Sequence, residues 1–239
     1  MLVIQVTPLI KATQLESLSY FSPVSYELGS FLMVPIRGKS QPAIVTEVKP
    51  VSSTKTALKA AAFSLRKLPT QENLITLPKL IQDTAQTLTT TYPIAAGSLL
   101  FSLLPPDVRN GTQSFPVSDR KNVSEESTPQ ILTAKLDERF LEYQSLIRSN
   151  FAHQGSVLFV VPTSADIDYA YEKLSHGVKE RVITFSANQT KKKRTEAYKK
   201  LSESQSALLI ITTPSFAYTD RGDIRSIIIE QSASGHYVG

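Results

Sequence analysis

Two hydrophobic rhythms run along this chain. Up to about Pro106 the apolar positions come in short runs: "LVIQVTP" (2–8), "FLMVPI" (31–36) and "AIVTEV" (43–48). These runs are rich in β-branched and large apolar residues and are separated by Gly, Pro and Ser, which predicts strands. "IRGKSQP" (36–42) joins the last two runs and has hairpin composition. It puts Arg37 and Lys39 at an exposed tip around Gly38. In "PKLIQDTAQTLTTTY" (78–92) the spacing becomes helical, with Leu80, Ile81, Ala85 and Leu88 on one face and Pro78 near the start.

From Ile131 onward the rhythm changes. "VLFVVPT" (157–163), "RVITF" (181–185), "ALLIITT" (207–213) and "SIIIE" (226–230) are compact apolar runs. Longer stretches of helical spacing stand among them: "KLDERFLEYQSLIRSNF" (135–151), "SADIDYAYEKLS" (164–175) and "QTKKKRTEAYKKLSE" (189–203). Continuous apolar strands alternating with helices predict a parallel sheet covered on both faces. The three isoleucines of the last run read as a buried strand with Glu230 at its carboxyl end. Between the two rhythms, residues 106–130 are polar, contain Pro, Gly, Ser and Asn, and have no periodicity. The expected organisation is therefore a β-rich domain at 1–106, a linker at 107–130 and an α/β domain at 131–239.

Composition narrows the chemistry. Hydrophobic residues at 41% and charged residues at 20% describe a folded globular chain rather than a disordered one. With no cysteine, disulfides and thiolate metal sites are excluded, and three scattered histidines (His153, His176, His236) do not suggest a metal site. No cofactor is implied. The amino terminus lacks the features of a signal peptide, and no apolar run approaches the length of a membrane span. The expectation is a cytoplasmic protein with no membrane partner. A net charge of +5 and a pI near 9.3 permit a polyanionic partner. The densest positive run, "KKKR" (191–194) with Lys199 and Lys200, spreads around a helix and reads as a solvated face. Asp166 and Asp168 fall early in a helix that "TSAD" caps, which explains them without catalysis.

Three N-terminal blocks carry a resemblance. "VTPLIKATQLESLSYFSP" (6–23) is similar to a strand, a Pro-Leu pair and a Phe-Asp-Tyr segment ending in Pro, with Leu18, Ser19 and Tyr20 in the Phe-Asp-Tyr places. "LGSFLMVPIRGKSQPAIVTEV" (28–48) is similar to a Gly-x-x-Val-x-Val-Pro-Phe-Gly hairpin. "YPIAAGSLLFSLLPP" (92–106) is similar to a block in which Tyr, Pro and Gly precede an apolar run ending in Leu-Pro. In the second half, "VLFVVPT" and "SANQTKKKRTEAYKKL" (186–201) follow a Val-Pro-Glu strand and a His-Ser-x-Leu segment with its helix. "IITTPSFAYTDRGDIRSIIIEQSASGHY" (210–237) follows a stretch from Gly-Thr-Arg-Ser-Ala through Asp-Glu-Glu-His to a Tyr. Together these resemble the primosomal protein N′ family, the PriA replication-restart helicases.

That resemblance implies a two-domain α/β protein. A small β-rich domain of the 3′-DNA-binding kind would be followed by a degenerate RecA-like parallel lobe of the P-loop NTPase kind. In the nucleotide site Glu230 takes the place of the Mg²⁺-binding Asp and Gln231 that of the water-activating Glu. Ser232 and Ala233 replace the remaining Glu-His pair, and Pro214 stands where the family has Arg. "LTAKLDERFLEY" (132–143) stands where a P-loop needs glycines and a lysine, and adds Asp137 and Glu138. Phosphoryl transfer thereby loses its phosphate cradle, its metal ligand and its base. The implied protein binds forked DNA, or a single strand with a 3′ end, and meets replication-restart proteins without ATPase or helicase activity. An atypical helicase subunit completed by a partner, and a non-enzymatic interaction module, stay open as alternatives. The implied DNA-binding residues are Ser19, Tyr20, Arg37, Gly38 and Lys39. The two cations and the glycine suit phosphate, Tyr20 suits stacking on a terminal base, and Ser19 is a weaker acceptor than the family's Asp.

Overall fold

Strand β1 (Leu2–Pro8) runs through the middle of a five-stranded sheet whose order is β3-β4-β1-β2-β5. The computed structural model describes residues 1–11, 17–52, 65–72, 74–109, 128–219 and 221–237. The chain divides into two units, Met1–Phe115 and Pro116–Gly239. In the first unit β2 (Leu18–Ser22), β3 (Phe31–Ile36) and β4 (Lys39–Pro50) join their neighbours antiparallel. The two-residue β5 (Arg66–Lys67) lies parallel to β2. β2 is absent from the predicted strands, because Ser19 and Ser22 weaken its apolar pattern.

Alternate residues of these strands point inward, as the pleat requires. Ile4, Val6, Tyr20, Leu32, Val34, Ala43, Val45 and Leu68 form one core. The sheet is curled, and the chain after β5 runs along the outer edge of β3. There the Gln71 amide accepts from the Met33 N–H at 2.8 Å and donates to its C=O at 3.0 Å. Phe31 N–H donates to Ile75, and Leu77 N–H to Gly29. An edge that would otherwise offer free backbone groups is thereby covered.

Helix α1 (Lys79–Thr91) buries Ile81 and Ala85, as its spacing predicts. Helix α2 (Ala96–Leu103) occupies what the sequence showed only as an apolar run. A Cβ on Gly97 would lie 2.1 Å from the Pro8 carbonyl oxygen, so only glycine lets α2 approach the end of β1. Helix α3 (Pro106–Arg109) buries Val108 completely and places the Arg109 guanidinium 3.7 Å over the Phe101 ring. Residues 107–109 thus belong to a packed turn, while most of the expected linker, 110–127, lies outside the described residues.

The second unit is a four-stranded, all-parallel sheet in the order β7-β8-β6-β9. Its strands are β6 (Ser156–Val160), β7 (Val182–Phe185), β8 (Leu209–Thr212) and β9 (Ile224–Ile229). Helices α4 (Leu136–Ala152) and α5 (Ser164–Leu174) cover one face, where Phe140, Tyr143 and Ile147 pack with Phe159, Leu209 and Ile211. Helix α6 (Lys191–Glu203) covers the other, where Tyr198 and Leu201 pack with Leu158, Phe185 and Ile210. Each large apolar side chain fully buried this way contributes about 2 kcal/mol. The last strand departs from expectation. β9 is not a buried strand but the edge of the sheet: Ile228 is buried, whereas Ile227 and Ile229 are 64% and 53% exposed. An apolar run shows that a strand is in a sheet, not that it has two neighbours.

Candidate nucleic-acid interface and the filled crevice of the parallel sheet

The pairing of β3 with β4 runs from Phe31↔Ile44 to Ile36↔Lys39, leaving a two-residue turn at Arg37 and Gly38. Both have positive φ, 48° and 80°, the pattern of the primed turns whose twist suits a hairpin. Gly38 has nothing within 4 Å of a would-be Cβ, and Arg37, Gly38 and Lys39 are all exposed. The tip is therefore an open, cationic loop end. Arg37 sits in a backbone region that asparagine and glycine adopt at less cost.

Ser19 lies on β2 opposite Gln5 and is half-buried. Tyr20 departs from the expected base-stacking role. Its side chain is buried in the β-sheet core and its hydroxyl donates to the Pro35 carbonyl at 3.1 Å. Burial raises its phenol pKa, partly opposed by the positive field of Arg66. With no open ring face, Tyr20 acts as a tie from β2 to β3, anchored two residues before Arg37. Its partner on β5 is Arg66, which is exposed, as is Lys67. Sequence reasoning passes over this cation pair. The only signal is two charges between Leu65 and Leu68, in a stretch with no strand pattern of its own.

In an open parallel sheet, ligands bind beyond the carboxyl ends of the strands where the order reverses. Here that place lies beyond β6 and β9, and the protein's own side chains fill it. Glu230 is buried, and its carboxylate accepts from Arg139 Nη2 at 2.5 Å on one oxygen and from the Tyr143 hydroxyl at 2.7 Å on the other. Arg139 also donates to the Ala134 carbonyl. Burial, followed by the hydrogen bond to Glu230, pushes the Tyr143 phenol up to about 12. The Tyr237 hydroxyl sits 2.7 Å from the Glu230 carbonyl and 3.1 Å from that of Val160. Burial, then the charges of Glu230 and Asp166, raise its pKa likewise to about 12. Gln231 follows with φ at 50°.

The amino end of α4 carries two acids in its first turn, Asp137 and Glu138. Glu138 turns back to accept from the Lys135 N–H at 3.3 Å, and Asp137 lies 3.9 Å from Lys173. Asp166 caps α5 through the Thr163 N–H and hydroxyl, as expected, and Asp168 is exposed. Lys191, Lys192, Lys193 and Lys199 are exposed on α6, while Lys200 reaches the Val182 carbonyl at 3.3 Å. Among the described residues no group of three or more His, Asp or Glu could hold a metal ion. No helix among them is long and apolar enough to cross a membrane. The sequence matches no protein-family model and no curated protein.

Proposed function

We propose that the chain is a PriA-like, DNA-binding protein of the replication-restart type, acting in the cytoplasm. Its N-terminal unit, of the 3′-DNA-binding kind, holds forked DNA or a 3′-ended single strand. Its RecA-like α/β unit has neither ATPase nor helicase activity. The observation that carries the DNA reading is the hairpin tip. An arginine kept at positive φ costs on the order of 1 kcal/mol, and such strain concentrates at functional positions. Arg37 and Lys39 flank Gly38 there, and a bare glycine lets a phosphate approach the backbone closely. Arg66 adds a cation on β5, beside the Tyr20 that ties β2 to the hairpin base. For the second half of the reading, the support is a crevice already occupied by Glu230, Arg139, Tyr143 and Tyr237.

Fluorescence anisotropy on forked DNA, with and without a free 3′ end and across a salt series, tests this. Replacing Arg37 and Lys39 together by Ala should weaken binding to every sequence alike. For each phosphate no longer neutralised, the salt slope should fall by about 0.9 on duplex and about 0.7 on single strands. Ser19→Asp should instead sharpen the preference for a free 3′ end, since a carboxylate is the stronger acceptor. Equal binding by the parent and the double Ala variant at low salt would remove the DNA assignment.

A further inference from the structure

The strand order of the first unit puts β3 at one end of its sheet and β2 with β5 at the other. Curling brings these ends together, and their meeting can be followed bond by bond. Along β3, Met33 lies opposite Pro42, and Pro35 lies opposite Ser40. Proline has no N–H, so these are positions whose backbone groups turn away from β4. Leu32 and Val34 turn theirs toward β4 and their side chains into the core. The outward set is therefore Phe31, Met33 and Pro35.

Each member of that set is met from across the gap. Phe31 N–H donates to the Ile75 carbonyl at 2.8 Å. Both Met33 groups are taken by the one side-chain amide of Gln71. Pro35 has only a carbonyl to offer, and the Tyr20 hydroxyl donates to it. The segment that brings Gln71 and Ile75 starts from Leu68, whose N–H donates to Phe21 of β2 at 2.7 Å. It crosses from one end of the sheet to the other as a strap. β1 meets β2 and β4 through backbone ladders, whereas the middle and far end of β3 are closed off by two side chains. A side-chain hydrogen bond contributes about 1 kcal/mol net, and these can be given up without breaking any ladder.

We propose that this junction is a seam that opens as one unit, a conformational gate pinned shut by the Gln71 amide and the Tyr20 hydroxyl. Opening leaves the β3–β4 and β1–β4 ladders whole, with the Leu77 N–H bond to Gly29 as the hinge. It frees the outer edge of β3 down to Pro35, two residues before the turn, so β3 is then held through β4. Movable elements are drawn from the parts of a fold with the fewest backbone ties, and the seam is such a part. The proposal does not rest on the DNA reading, which concerns the hairpin tip.

Native-state hydrogen exchange of the full chain, followed by NMR across low urea concentrations, tests it. Phe31 and Met33 should exchange through one shared opening that depends weakly on urea, because little surface is uncovered. Leu32 and Val34 should exchange more slowly, with the steep urea dependence of global unfolding. Tyr20→Phe keeps the ring, and Tyr20 bonds to neither Phe31 nor Met33. It should nonetheless speed both about fivefold, the worth of one net hydrogen bond. Gln71→Leu removes two bonds and should speed Phe31 by about tenfold or more. One steep urea dependence common to all four amides would overturn the proposal, because the junction would then open only when the unit unfolds. Met33 exchange unchanged by Tyr20→Phe, or Phe31 exchange unchanged by Gln71→Leu, would overturn it too, since the contacts would then be separate. The urea series on the parent chain decides the matter even where a variant is too unstable to measure.

Discussion

Glu230 is the residue on which the α/β unit's chemistry turns. At the end of a strand beside a crevice, a free carboxylate would be a metal ligand in waiting, but this one has both oxygens engaged. Its guanidinium partner comes from 91 positions earlier in the chain, a pairing that no local pattern could announce. Two phenols close the group, and their shifts have a consequence for stability. Tyr143 and Tyr237 have pKa values near 12 in the folded protein against an ordinary 10.0. Raised values mean that the fold holds these protons more tightly than the unfolded chain does. The stabilisation is therefore whole below pH 10 and is lost as the pH climbs from 10 toward 12. Urea melts at steps of pH should show this alkaline limb, and it should flatten when Tyr143 and Tyr237 are both changed to Phe. At neutral pH, Tyr143→Phe alone should cost about 1–3 kcal/mol, because a buried carboxylate oxygen loses its donor.

At the scale of elements, the hairpin offers the sharpest separation of shape from charge. The first turn position of a primed hairpin suits Asn, which adopts positive φ at little cost. Arg37→Asn should hold or raise thermal stability, by about 0.5–1 kcal/mol, while removing one cation from the tip. Higher melting temperature with weaker DNA binding is the expected pair of results. Equal affinity would mean that the arginine is only a turn residue. The hairpin was legible because its signals are local: two apolar runs, a Gly and a cation on each side. The parallel strands and α4, α5 and α6 were legible for the same reason. β9's edge position was not, since Ile227, Ile228 and Ile229 look alike until the sheet order is known. Tyr20 was misread because its burial depends on sheet curling, which brings Pro35 within reach of its hydroxyl. A third example is Arg221, to which no sequence pattern points. It is buried and donates to the Leu201, Ser204 and Ser206 carbonyls, which ties the end of α6 to the approach to β9. It also pairs with Asp223 at 2.7 Å. Buried cations are paired and hydrogen-bonded, but which chain segments meet them is a tertiary fact.

For the whole molecule, the question is whether nucleotide and DNA can speak to each other at all. Coupling requires a ligand that binds two states of the protein with different affinity, and it usually amounts to about fivefold or more. In a working motor that ligand is ATP with Mg²⁺, held by a glycine-rich cradle, a metal acid and a base. On the proposed reading, the acids at the start of α4 stand at the cradle's place, Glu230 at the metal acid's, where it is tied to Arg139 and Tyr143, and Gln231 at the base's. These are three separate features, so restoring one of them does not restore the others. Removing Glu230 would unpair Arg139 and still leave Asp137 and Glu138 to repel phosphate. The affinity for forked DNA should therefore be the same with ATP, with ADP or with neither, once ionic strength and free Mg²⁺ are matched. Matching matters because added salt alone weakens binding to phosphate. The measurement is a set of parallel anisotropy titrations at constant ionic strength, with phosphate release followed in the same samples. A nucleotide-dependent change of about fivefold, or DNA-stimulated phosphate release above the protein-free rate, would show that the crevice opens. The reading of the α/β unit as a silent lobe would then fall, while the hairpin's part in holding DNA would stand or fall on its own salt series.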